Sequence, residues 1–464
     1  GSLTSIVPNT TQYWMVGEPR SLSWTSVPLD QGDVRLVWAF DGTTFPEPAQ
    51  LLATVNSSVG QTGHAFTVGA AQKGENVTWR VYRVLDATVQ LTAATPVKIY
   101  NLLLDQPVAS EILRIGTAKT IQWTKDAGAF TTPSAEFAVS KSINAGAYVE
   151  ITNPLARPTG TSFSYTPVDA DRSPNVRFKV QWQGSTNVEV ISPQVSVKPS
   201  VTLTTPLSGT FAIDDPLAIT FSHTGLTGAS GDTWRIRYST DGGLSYPAGN
   251  IIHTTTIGPA SPYTFNWTVP EAAGIVGNQF RLKVEQVGDE LNVKSESGNL
   301  TIRGKLTLIT PTLASTVWKV GDTTRSISWT SKGLTNVRLD YTKNNGADSY
   351  GNVMTASTSA AAGSYLWNPV GPPAGIPTTA TSNQFRIRVK AIDAADSATE
   401  VLSPTFTVVP RLTLTYPTGG ETLLVYALSS AAARTLTWTR SGDSRSGVAD
   451  DDFVEVYYTK DTTG

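Results

Sequence analysis

The chain reads as an all-β protein, a tandem array of seven-stranded β-sandwiches. Three observations predict it. A five-residue pattern recurs along the chain, the turn chemistry between apolar runs is that of hairpins, and no stretch carries a helical period. The recurring pattern is Ser21-Leu22-Ser23-Trp24-Thr25, repeated as Thr120-Ile121-Gln122-Trp123-Thr124, Ser326-Ile327-Ser328-Trp329-Thr330 and Thr435-Leu436-Thr437-Trp438-Thr439. A worn copy, Leu217-Ala218-Ile219-Thr220-Phe221-Ser222, stands in the middle. Each copy alternates apolar with polar residues, the mark of a strand with one buried face. The anchors Trp24, Trp123, Phe221, Trp329 and Trp438 are the expected structural core, and stand 99, 98, 108 and 109 residues apart. A self-similar period of one domain length means a tandem array.

The remaining elements follow in order. An opening strand such as Leu306-Thr307-Leu308 leads to a proline, then to Trp14-Met15-Val16-Gly17 or Trp318-Lys319-Val320-Gly321, and then to the anchor strand. Trp14 and Trp318 are expected to cap the sandwich edge. A third strand follows, such as Val337-Arg338-Leu339-Asp340-Tyr341, running towards Asp41-Gly42, Asp241-Gly242 or Asn345-Gly346. Asp-Gly and Asn-Gly tolerate the positive φ that tight hairpins demand. The late strands Gln279-Phe280-Arg281-Leu282-Lys283-Val284 and Gln384-Phe385-Arg386-Ile387-Arg388-Val389 alternate cations with apolar residues, so one face is core and the other wet. Trp79 and Trp182, on the same late strand of the first two repeats, are expected in the core. Four repeats and part of a fifth result, at 1–99, 100–198, 199–303, 304–409 and 410–464. Linkers of two to four residues, some with proline, restrict pivoting. The fifth repeat holds half its strands, so the sequence predicts a piece of a longer protein. Gly1-Ser2 fits either a tag remnant or the native chain.

Composition narrows the chemistry. The 464 residues carry a net charge of −2, which gives no reason to expect nucleic acid as a partner. No run of about 18 apolar residues is present to span a membrane as a helix. The chain has no cysteine, which excludes disulfides and zinc–thiolate sites. Its three histidines, His64 in the first repeat and His223 and His253 in the third, have no ligand spacing. No nucleophile elbow or phosphate-binding glycine motif occurs, so no catalytic residue is assigned and a non-enzyme is expected.

Calcium is the one cofactor the acidic loops suggest. The candidate ligands are Asp450, Asp451 and Asp452, and the loop of Asp393, Asp396 and Glu400; Asp214-Asp215 and Asp289-Glu290 are weaker sets. Acidic turns more commonly serve local hydrogen bonding. Asn-x-Ser/Thr triplets stand at Asn9, Asn56, Asn76, Asn266 and Asn299.

The order of proline, Trp-x-Val-Gly, Ile-x-Trp-Thr, Asn/Asp-Gly turn and Phe-Arg-Ile-x-Val resembles the immunoglobulin-like repeats of secreted bacterial surface proteins. These include the surface (S-)layers of planctomycete-type bacteria. The second-strand Trp is also similar to that of fibronectin type III modules. The late tyrosine of such modules is replaced by Phe280, Phe385, Val77 and Val176. The resemblance implies an extracellular, cell-surface structural protein that self-associates with copies of itself. The uncharged stretches Ser357 to Gly363 and Ala427 to Ala433 read either as loops where neighbouring chains dock or as flexible loops with no partner. The alternatives are an adhesin or stalk binding cell-envelope glycans, and a non-catalytic arm of a secreted enzyme.

Overall fold

The computed structural model describes residues 1–457 except 9, 11, 28–31, 58–59, 132–133, 226–231, 257–259, 368–375, 378–379, 420–434 and 443–453. The first repeat sets the plan. Its strands are β1 (Ser2–Val7), β2 (Tyr13–Met15), β3 (Pro19–Val27), β4 (Gly32–Ala39), β5 (Leu51–Ser57), β6 (Gly60–Thr67), β7 (Gly74–Arg83), β8 (Gln90–Thr92) and β9 (Val97–Tyr100). A small sheet has the order β1-β3-β6, and a large one β2-β9-β7-β4-β5 with β8 beside β7. All pairings are antiparallel except β2 with β9. The opening segment therefore serves both sheets, β1 in one and β2 in the other, and closes one flank of the sandwich. Repeats two to four reproduce this order strand for strand.

The fold is thus an array of immunoglobulin-like sandwiches. Each holds nine strands where the sequence predicts seven. No sequence motif marks a strand at the β2, β5 or β8 position. Thr-rich runs such as Ile251–Thr256 and Asn352–Ser359 form the β5-type edge strand without a clear apolar alternation. Ser357 and its neighbours end that strand and enter a short 3-10 turn, Ala360–Ala362, with Ala360 buried; the loop expected there is an edge strand.

The period-two pattern places the anchors where burial demands. Trp24, Trp123, Phe221 and Trp329 are buried between the sheets. Trp79 and Trp182 are buried too. Trp14 and Trp318 sit on edge strands, but their rings turn inward: Trp14 meets Trp79, and Trp318 meets Phe406 at 4.9 Å. They are core residues and not edge caps, because pairing in the large sheet points alternate residues between the layers. Trp438 departs from its expected place. It is 42% exposed, since Arg411–Tyr416 and Thr437–Ser441 form a two-stranded sheet with no second sheet over it among the described residues. Ala427 to Ala433 and Asp450 to Asp452 lie outside the described residues.

Linkers are shorter than the sequence suggests. The last strand of a repeat and the first of the next are separated by one residue: Asn101, Pro199, Gly304 or Pro410. The chain forms two compact units. One is Gly1–Val201 with His223–Asp232 and Ile257–Pro259; the other is Thr202–Ser222, Thr233–Thr256 and Ala260–Gly464. No helix among the described residues is long and apolar enough to cross a membrane.

Candidate functional site: the joints between repeats

A one-residue linker leaves its backbone polar groups at a crowded place, where an unpaired N–H is costly. The four linkers meet that demand in two ways. Pro199 and Pro410 carry no N–H. Asn101 and Gly304 do, and each donates it to an aspartate of the repeat that follows. Asn101 N–H reaches Asp126 Oδ2 at 2.7 Å, and Gly304 N–H reaches Asp396 Oδ2 at 2.8 Å. The carbonyl of Pro199 accepts from the Arg114 guanidinium at 3.0 Å.

In the first unit, Asp126 works in both directions. Its other oxygen accepts from Lys73 of the first repeat at 2.8 Å. Lys73 follows a short 3-10 turn, Ala70–Gln72. Arg172 occupies the same position after Asp169–Asp171 and forms a bidentate pair with Asp232 at 2.6 and 2.7 Å. Tyr13 and Met15 of the first repeat pack against the core of the second, with Tyr13 edge-on to Trp182 at 4.9 Å. Tyr100, just before the linker, meets Phe130 at 4.7 Å.

In the second unit, the joint between repeats three and four is built from backbone proximity and charge. A Cβ on Gly304 would lie 2.4 Å from Leu334 Cδ2 and 2.9 Å from the Lys332 carbonyl. Gly333, at φ +66°, faces Ile213, and a Cβ there would come within 2.3 Å of its Cδ1. Only glycine fits both the conformation and the space. Glu271 accepts the Gly333 N–H at 3.1 Å, and Asp214 pairs with Lys332 at 2.9 Å and Lys305 at 3.5 Å. The Lys332 ammonium holds the Asp214 carboxyl below the ordinary carboxylate range. Towards the fifth repeat, Arg411 donates to the Gly321 carbonyl at 3.3 Å.

The acidic-loop residues that are described make local contacts here. Asp396 accepts the N–H groups of Gly304, Ala398 and Thr399 and the Thr399 hydroxyl. Asp393 accepts the N–H groups of Thr335 and Asn336. Glu400 stands 3.8 Å from Arg388. Asp215 accepts the Ala212 N–H, and Glu290 pairs with Arg235 at 3.2 Å. Among the described residues no three acidic or histidine side chains converge as a metal site requires. The loop of Asp393 and Asp396 is thus a clasp on the preceding joint. Sequence reasoning placed Gly304 in a linker but did not single out Asp126, Glu271 or Gly333, since each acts on a partner distant in the chain or across a linker.

No family model matches the chain, and no curated protein is similar to it. Solved structures that match include a three-domain titin tandem, at 9% identity over 65% of this chain and 99% of that one, with a TM-score of 0.19. A four-domain ICAM-5 ectodomain fragment matches at 14% identity over 88% and 100%, with a TM-score of 0.22. Three N-terminal domains of the outer capsid protein Hoc of bacteriophage RB49 match at 13% identity over 65% and 98%, with a TM-score of 0.20. At these scores the likenesses carry no functional argument.

Proposed function

We propose that this chain is a structural protein of an extracellular surface, of the self-assembling S-layer type, in which clamped joints fix the angle between neighbouring sandwiches. The observation that supports it is the treatment of the linkers. A chain of independent modules gains nothing from one-residue linkers whose N–H groups are either removed by proline or bound by the next repeat. A component that must hold shape gains stiffness, because each clamp lowers the freedom of the backbone that would have to pivot.

Self-association with copies of the same chain belongs to this proposal, and calcium at Asp450, Asp451 and Asp452 is a subsidiary part of it. Electron microscopy of the purified chain without added ligand tests it. Ordered sheets or filaments support the reading; monodisperse single particles at all concentrations contradict it. The second reading, a stalk that binds envelope glycans, is favoured by an open cleft in the fourth repeat lined by Arg338, Arg388, Lys390 and Tyr350.

A further inference from the structure

On the outer face of the large sheet, each complete repeat lays a cation over an aromatic ring from the loop between its third strand and the edge strand that follows. The pairs are Arg80 over Phe45 at 3.8 Å, Lys179 over Tyr148 at 5.0 Å, Lys283 over Tyr246 at 4.1 Å and Arg388 over Tyr350 at 4.6 Å. Shared by all four, this contact pins the loop to the sheet. What surrounds it is not shared. The residue two places further along the late strand is Tyr82, Gln181, Glu285 or Lys390, and its cross-strand neighbour is Arg35, Ala138, Arg235 or Arg338. Repeat three thus sets Arg235 opposite Glu285, a complementary pair. Repeat four sets Arg338 opposite Lys390, cation against cation, with Asp340 opposite Arg388; repeat three has the reverse placement, Arg237 opposite Lys283 beside its complementary pair.

Like charges directly opposite one another destabilise a sheet. Here they line an open cleft of about 480 Å³, together with Arg388, Tyr350 and Ser397. The acidic groups on this face offset part of the charge and leave the cleft lining with three cations and no carboxylate. Asp340, fully buried beneath, is taken by Arg338 at 2.6 Å and Arg388 at 2.8 Å. Glu400 is Lys390's neighbour on the other side and lies 3.8 Å from Arg388. Asp348 is turned to the Tyr350 N–H and the Asn352 amide. Arg386 extends the cationic row and is tied to neutral oxygens of Ser403 and Asn345. Ser349 and Tyr350 both hold left-handed backbone, at φ 55° and 56°, where the loop brings the ring over Arg388. Strain of this kind clusters at ligand sites.

We propose that the cleft of Arg338, Lys390, Arg388 and Tyr350 binds the carboxylate of an acidic saccharide, with a sugar ring against the tyrosine. A carboxylate between Arg338 and Lys390 relieves their repulsion and gains charge-assisted hydrogen bonds. The cleft volume is that of a small-ligand site. A saccharide fits better than a nucleic acid, since the chain as a whole is slightly acidic. This site does not depend on assembly, so the two proposals fail separately.

The test is calorimetric titration of the full chain at low salt with a uronic-acid tetrasaccharide. The arms are the same oligosaccharide with its carboxyls reduced to alcohols, inorganic phosphate, and a single-stranded oligonucleotide. Binding of the uronate is expected, weakened by salt, lost by about tenfold or more in Lys390→Gln and kept in Lys390→Arg. Without ligand, Lys390→Gln is expected to melt close to the parent, because it removes both the repulsion from Arg338 and the attraction of Glu400 on the other side. The proposal is overturned by no uronate binding, by equal binding of the neutral sugar, by phosphate or oligonucleotide binding as tightly, or by undiminished binding in Lys390→Gln.

Discussion

Asp396 and Gly304 stand 92 residues apart in the chain, and Oδ2 of the first accepts the backbone N–H of the second at 2.8 Å in a buried setting. The linker to the fourth repeat is thereby held by that repeat's own late loop. Asp396→Ala leaves the Gly304 N–H without this acceptor. A cost of about 1–3 kcal/mol to the fourth repeat is expected, the usual penalty for a buried donor left unpaired. Hydrogen exchange at Gly304 should quicken correspondingly while the core amides of the first repeat hold. Unchanged exchange at Gly304 would mean the clamp is not made in solution.

Space makes the second prediction. Gly304→Ala drives a Cβ against Leu334 and the Lys332 carbonyl, and only the leucine tip can give way. Overpacking of this kind costs about 1–3 kcal/mol. Gly249→Ala meets nothing within 4 Å and serves as the control, expected near neutral or slightly stabilising. Thermal melting of the two variants side by side checks the difference.

Two tryptophans at one sequence position predict opposite outcomes. Trp329 is 2% exposed and donates its indole N–H to the Ala360 carbonyl at 2.9 Å. Trp329→Ala should cost about 3–5 kcal/mol and unfold the fourth repeat, while the first stays folded. Trp438, 42% exposed, should cost under about 1 kcal/mol when replaced by Ala in this chain. Denaturant melts of both variants decide it.

Acid should weaken the chain through its buried carboxylates. Burial alone would raise the Asp171 carboxyl, but the Lys141 ammonium, the Tyr165 hydroxyl and the Val168 N–H outweigh it and hold it below its ordinary range. Glu285 is raised by burial and lowered further by Lys283 and Arg235, with the same net direction. A carboxylate depressed in the folded state adds stability that is present above its unfolded pKa of about 4 and lost as pH falls through the native value. The melting temperature should fall steadily below about pH 4, and Asp171→Asn, less stable at neutral pH, should flatten that fall. A melting curve indifferent to pH from about 5 to 2 would remove these groups from the account.

Chelation separates the acidic loops. Asp393 and Asp396 are engaged with backbone N–H groups, so removing divalent ions should leave melting of the fourth repeat unchanged. If calcium acts at Asp450 to Asp452, chelation should alter the assembly and leave the sandwich cores alone, which depend on no metal. Light scattering and melting with and without chelator read the two effects apart.

The sandwiches were legible because one sequence pattern fixes them locally. Leu22 and Trp24, or Ile327 and Trp329, alternate with Ser and Thr, and that period alone sets which face is buried. The edge strand at Ile251–Thr256 was not legible, because Thr at most places hides the alternation. Trp14 was visible as a repeated residue, but its inward ring depends on the parallel pairing of Tyr13–Met15 with Val97–Tyr100, more than 80 residues away. The joints were hardest. That Asp393 and Asp396 sit in an acidic turn can be read from neighbours; that the turn closes on Gly304 and Thr335 is a fact of tertiary approach. Gly333 and Ile213 carry no pattern that announces their contact.

The central claim is that a joint between repeats has one geometry. The absence of cysteine allows clean spin labelling at Leu244→Cys in repeat three and Ser357→Cys in repeat four, both exposed. The electron–electron distance distribution in the full chain should be a single narrow peak that broadens in Asp396→Ala. A broad distribution in the parent chain would contradict a clamped joint, and with it the reading of this protein as a shape-holding array.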